Sequence, residues 1–154
     1  MAKAFNLQPL LEIMQTRVDE KTRQLGQLIA AEQNARSRLQ LLKQYREEYF
    51  QKLRNAISQG LTPLALRNYQ DFISRIDEAI TQQTRAVDHS ARSTANGQAE
   101  WREHNQRLKA IDTLSQRHDA RELYRENRAE QKLMDEFTSR KYSHDSHSTD
   151  PKID

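Results

Sequence analysis

Cysteine is absent from the 154 residues, so neither a disulfide framework nor a thiolate metal site holds this chain together. Glycine and proline are scarce, three of each, and they stand singly at Gly26, Gly60, Gly97, Pro9, Pro63 and Pro151. Isolated glycines cannot build a loop that cradles a phosphate, and no Ser nucleophile sits in a recognisable catalytic setting, so the chain is expected not to be an enzyme and to need no cofactor. Long apolar runs are missing too. No stretch approaches the roughly 20 apolar residues of a spanning helix. The N-terminus lacks the apolar core of a signal peptide, which points to a cytoplasmic protein with no transmembrane segment.

What is present is helix-forming and polar. Hydrophobic residues make up 35% of the chain and charged ones 31%, with a mean hydropathy of −1.04, too little apolar mass for a broad globular core. The abundance of Leu, Ala, Gln, Glu and Arg selects long exposed helices over disorder. The net charge is +3, but its 25 basic and 22 acidic residues are interspersed. A basic coiled coil that binds nucleic acid is therefore an alternative, not the leading reading.

With Leu7 at heptad position d, the a and d sites read Leu7, Leu11, Met14, Val18, Lys21, Leu25, Leu28, Glu32, Ala35, Leu39, Leu42, Arg46, Tyr49, Leu53 and Ala56, of which twelve in fifteen are apolar. A sustained 3.5-residue repeat gives a narrow stripe that faces one partner helix. Asn6 is placed to cap this helix, and Pro9 is tolerated in its first turn. The break comes at Ser58-Gln-Gly-Leu-Thr-Pro63, where Gly60 supplies a left-handed stop, Thr62 a cap and Pro63 a first helical residue. The repeat then resumes at Leu66, Tyr69, Ile73, Ile76, Ile80, Gln83, Val87, Ser90, Thr94, Gly97, Trp101, His104, Leu108 and Ile111.

These signals predict an all-α fold, an antiparallel two-helix coiled-coil hairpin with unequal arms. Residues 1–6 lead in, helix 7–58 and helix 63–138 flank a turn at 59–62, and 139–154 form a polar tail expected to be disordered. At 1.5 Å per residue the arms are roughly 80 and 110 Å long, leaving an overhang of roughly 30 Å on the second. Pairing Ala56 with Leu66 sets the register. Lys21 then faces Trp101, Leu25 faces Gly97, Leu28 faces Thr94 and Glu32 faces Ser90, a poor seam with a soft point expected at Gly97. Nearer the turn, Leu42, Tyr49 and Leu53 meet Ile80, Ile73 and Tyr69, a firm one.

The flanks carry the functional signal. Positions beside the seam of a coiled coil normally bear charges, but here helix two places Ala65, Phe72, Ala79 and Ala86 there, and helix one Ala31 and Tyr45 beside Arg38 and Lys52. Either Phe72 and Tyr45 widen the core near the turn, or they form an exposed apolar strip on which a partner docks. On the overhang, Arg117, Arg121, Arg125, Arg128 and Lys132 alternate along the sequence with Glu122, Glu126 and Glu130, a mix usual for a solvated helix face. His144 and His147 have a spacing open to a metal, but on a polar tail a solvated pair is the favoured account, and no metal site is expected.

Several of these segments together resemble the flagellar export protein FliJ family. They are Tyr45-Arg-Glu-Glu-Tyr49, Asn68-Tyr69-Gln70-x-Phe72-Ile73, Trp101-Arg102, Arg107-Leu108-Lys109 and the closing Glu126-Asn127-Arg128-x-x-Gln131-Lys132-x-Met134-Asp135-Glu136-Phe137. The resemblance implies a stalk-like, non-catalytic component of the flagellar type III export apparatus, at the cytoplasmic face of the inner membrane. Its implied partners are the export ATPase FliI, the export gate protein FlhA and export chaperones, with no nucleic acid. Gate contact would fall on Leu42, Tyr45, Tyr49, Phe72, Ile76 and Ala79, with Arg38 and Gln83 at the strip's edge departing from the Gln and His of the family. The tip entering the ATPase ring would carry Leu11, Met14, Val18, Arg121, Arg125, Arg128, Gln131, Met134 and Phe137. The stalk of a virulence type III system is the nearest alternative.

Overall fold

A computed structural model describes residues 6–147. Two α-helices account for nearly all of them: α1, Gln8–Gln59, of 52 residues, and α2, Pro63–His147, of 85 residues. No strand occurs among the described residues. The fold is an all-α helical hairpin.

Each end signal in the sequence has its counterpart. The Asn6 side-chain oxygen accepts the Gln8 amide at 3.0 Å, satisfying one of the orphan donors at the start of α1. At the turn Gly60 takes φ +92°, a conformation that a side chain would strain. Thr62 accepts the Ala65 amide on its hydroxyl at 3.2 Å, and Pro63 opens α2 where its missing N–H costs nothing.

The chain divides into two compact units. In the unit Ile13–Arg107 the helices pack antiparallel along a narrow seam. The side chains turned inward are those of the heptad: Val18, Leu53, Ile73, Ile76, Val87 and Thr94 are buried, and the other a and d residues from Met14 to Ala56 and from Leu66 to His104 are half-buried. Contacts across the seam fix the expected register. The Tyr49 ring lies on Phe72 and Tyr69, and Arg46 pairs with Asp77. Gln83 donates to the Ala35 carbonyl at 2.9 Å, Thr94 to the Leu28 carbonyl at 3.3 Å, and the Trp101 indole N–H to the Thr22 hydroxyl at 2.8 Å. Beside Trp101, Lys21 and Glu100 form an ion pair at 3.1 Å.

Gly97 departs from the expected soft point. α2 runs unbroken through it, and a Cβ placed there would lie 2.6 Å from Leu28 Cδ1 and 3.5 Å from Leu25 Cδ1. The missing side chain makes room for the Leu28 methyl, so the glycine is a point of close approach. Glu32, one of three charged residues in the seam with Lys21 and Arg46, is likewise satisfied. Arg36 one turn on binds its carboxylate at 2.9 Å. That bond first, and the Thr94 side chain second, hold its pKa below the ordinary carboxylate value. Among the described residues no buried side-chain N or O lacks a hydrogen bond.

The second unit joins the start of α1, up to Glu12, with α2 from Leu108 onward. Its partly covered side chains are Leu7, Leu11, Leu108, Ile111, Ser115, His118 and Glu122, and every described side chain from Leu123 to Ser146 is exposed. α2 continues through residues 139–147, which the polarity of the segment led us to expect as disordered. Polarity alone does not end a helix; glycine and proline do, and none occurs between Gly97 and Pro151. The predicted lead-in and tail otherwise lie outside the described residues.

Candidate docking surfaces

The first surface is aromatic and belongs to the unit Ile13–Arg107. Tyr49 sits half-buried in the seam with its ring stacked on Phe72, centroids 4.2 Å apart and planes 26° apart, and tilted against Tyr69 at 5.5 Å. Phe72 is nevertheless 43% exposed and Tyr45 50%. Among the other residues expected on this strip, Ile76 is buried, while Leu42 and Ala79 are half-buried. Phe72 therefore stacks on the seam through its contact with Tyr49 and still meets solvent with the rest of its surface.

Charges border this surface without closing it. The Lys52 ammonium stands 6.0 Å from the Tyr49 ring centroid. Arg46, paired with Asp77 across the seam, also lies 4.7 Å over the Phe50 ring. Of the two edge positions, Arg38 is exposed, whereas the Gln83 amide is spent on the Ala35 carbonyl. Leu41, 45% exposed, was not singled out in the sequence because it falls outside both the seam and its flank. Its spacing of four from Tyr45, which puts the two side chains on one helix face, was the available signal.

The residues expected to form a tip are distributed between the two units. Met14 is half-buried and Val18 buried in the unit Ile13–Arg107, where Met14 lines a small cavity with Arg17, His104 and Arg107. Leu11 belongs to the other unit and is half-buried there. On α2 of that unit, Arg121, Arg125 and Arg128 line one shallow depression with Ala120 and Tyr124. Gln131 is exposed, and Met134 and Phe137 are about as open as side chains of a free helix, at 70% and 71%. Leu123, Tyr124, Leu133 and Tyr142 add further exposed apolar surface.

Among the described residues no three His, Cys, Asp or Glu side chains gather where they could hold an ion, and His144 lies on the exposed helix. No described helix is long and apolar enough to cross a membrane.

Known proteins match this chain over nearly its whole length. The family model described as "Flagellar FliJ protein" matches residues 3–146. The Flagellar FliJ protein of Escherichia coli (strain K12) is 35% identical over 140 residues, covering 91% of this chain and 95% of the relative. That of Salmonella typhi is 36% identical over 147 residues, with the same coverage of each.

Proposed function

This chain belongs to the flagellar FliJ family and is a component of flagellar type III export, and we propose that within it the chain acts as a non-catalytic stalk. In this reading it promotes the export ATPase FliI by entering its ring, docks on the export gate protein FlhA and escorts export chaperones, working as a peripheral protein at the cytoplasmic face of the inner membrane. The observation that carries the reading is the exposed run of α2 from Leu123 to Ser146, a continuous helix whose apolar side chains have no cover. A helix of that length and polarity gains little by standing in water, whereas enclosure by a ring buries Met134 and Phe137.

For the ring contact we assign Leu11, Arg121, Arg125, Arg128, Gln131, Met134 and Phe137. Met14 and Val18, turned into the seam of their own unit, hold the helices together there. For the gate contact we assign Tyr45 and Phe72 as the touching side chains, with Leu42, Tyr49, Ile76 and Ala79 as the rest of the strip. The virulence-system alternative is disfavoured by a family match that is flagellar over nearly the whole chain.

The test is to add the purified chain to the export ATPase and follow assembly and ATP hydrolysis. Hexamer formation and faster hydrolysis are expected. No stimulation, together with normal motility in a strain lacking the gene, overturns the proposal.

A further inference from the structure

Around α2 between Arg117 and Lys132 the charges do not alternate as they do along the sequence. At about 100° per residue, Arg117, Arg121, Arg125, Arg128 and Lys132 fall within an arc of roughly 80°. Asp119, Glu122, Glu126 and Glu130 occupy a second arc of similar width, on nearly the opposite side. All of these residues are exposed except the half-covered Glu122, and Tyr124 stands 65% exposed at the edge of the cationic row.

This arrangement runs against what a solvated helix favours. One turn apart, opposite charges stabilise a helix and like charges destabilise it. The stretch nonetheless sets like charges four residues apart at Arg117–Arg121, Arg121–Arg125, Arg128–Lys132, Glu122–Glu126 and Glu126–Glu130. Elsewhere the same chain follows the favourable rule, with Glu32 bound to Arg36 and Glu103 to Arg107. Within the stretch the recorded Arg–Glu contact is Glu122 to Arg125, three residues on and 3.7 Å long. His118, between the two arcs, also stands 4.0 Å from Glu122 and 3.9 Å from Asp119, but the arginines and carboxylates are for the most part sorted onto two faces of opposite sign.

We infer that α2 from Arg117 to Lys132 is a two-faced electrostatic contact element. Its arginine face seats on an acidic wall, and its carboxylate face on a basic wall, of one protein that encloses the helix. The inference rests on the reading of α2 as a ring-inserted tip and names what the ring must present. A nucleic acid or an anionic bilayer satisfies only the cationic face and is repelled by the other, so neither fits. In a ring of identical subunits, a helix of this kind meets subunits on its two sides with opposite charge. Contacts that differ among chemically identical subunits are what a stalk needs to favour one subunit's state over another's.

Two full-length variants test this, R121E/R128E on one face and E126K/E130K on the other. Both leave the Glu122–Arg125 pair and the seam of residues 13–107 in place, and circular dichroism and thermal unfolding confirm the fold of each. Affinity for the assembled export ATPase at low salt is expected to fall roughly tenfold or more in both variants, the loss shrinking as salt rises. Wild-type affinity in either variant, or tighter binding by E126K/E130K, overturns the two-faced contact while leaving the stalk reading intact. Failure of the wild-type chain to associate at all overturns both.

Discussion

Phe72 lies face to face with Tyr49, ring centroids 4.2 Å apart, and still leaves 43% of its surface to solvent. One side chain thus closes the seam near the turn and offers an aromatic face outward. Its two roles carry different energies. Stacking of this kind contributes about 0.5–1.5 kcal/mol beyond area burial, whereas truncating a buried aliphatic costs about 2–5 kcal/mol.

Phe72→Ala is therefore expected to lower stability by no more than about 2 kcal/mol, clearly less than Ile73→Ala or Ile76→Ala, whose side chains are 8% exposed. Urea unfolding of the three variants measures the order. Tyr45→Ala, at a half-exposed position, should barely move the unfolding midpoint. Both aromatic variants should weaken binding to the export gate, and a gate affinity unchanged in each removes the strip from that role.

Gly97 tests how the seam is filled. Replacing a helical glycine with alanine ordinarily gains up to about 1 kcal/mol. Here the new Cβ meets Leu28 Cδ1 at 2.6 Å, and that methyl, at the end of a flexible side chain, has to move aside. The two effects oppose, so Gly97→Ala should change stability by less than about 1 kcal/mol. Gly97→Leu should destabilise by about 1–3 kcal/mol. Combining Gly97→Leu with Leu28→Ala should recover part of that loss, a coupling read from a double-mutant cycle.

At the turn, Gly60 has open space around a would-be Cβ and a φ of +92°. Gly60→Ala therefore reports backbone strain with no packing change, expected at about 1–2 kcal/mol by denaturant unfolding. A neutral result would mean that the turn relaxes out of the left-handed conformation.

Glu32 makes the hairpin acid-sensitive in a defined direction. Its folded pKa is lowered, chiefly by Arg36 and then by Thr94. The unfolded chain therefore binds the proton more readily than the folded one, and stability present at neutral pH is lost as pH falls through the ordinary carboxylate range to the lowered folded value. The thermal midpoint of the wild-type chain should drop more steeply on acidification there than that of Glu32→Gln. Parallel curves for the two proteins would contradict it.

How much was legible in advance depended on how local the cause was. The caps at Asn6 and Thr62, the left-handed Gly60 and the start at Pro63 are chemistry of a few adjacent residues, and each stands where the sequence placed it. The seam was legible for a related reason: a 3.5-residue repeat on each side of a short turn admits one antiparallel register. The end of α2 was misjudged because polarity was weighed above the absence of a breaker. Leu41 was missed because heptad positions describe a helix by its distance from the seam and not by its neighbours one turn away.

By itself, then, the sequence determined two helices, their turn, the inward set of residues and the family to which the chain belongs. The tertiary structure decided which atoms meet: that Leu28 fills the space at Gly97, that the Gln83 amide goes to the Ala35 carbonyl, and that Tyr45 and Phe72 remain half open. The physical reason is that periodicity and caps are set by residues close along one chain. The filling of a seam and the exposure of its flanks depend on side chains that approach from the other helix.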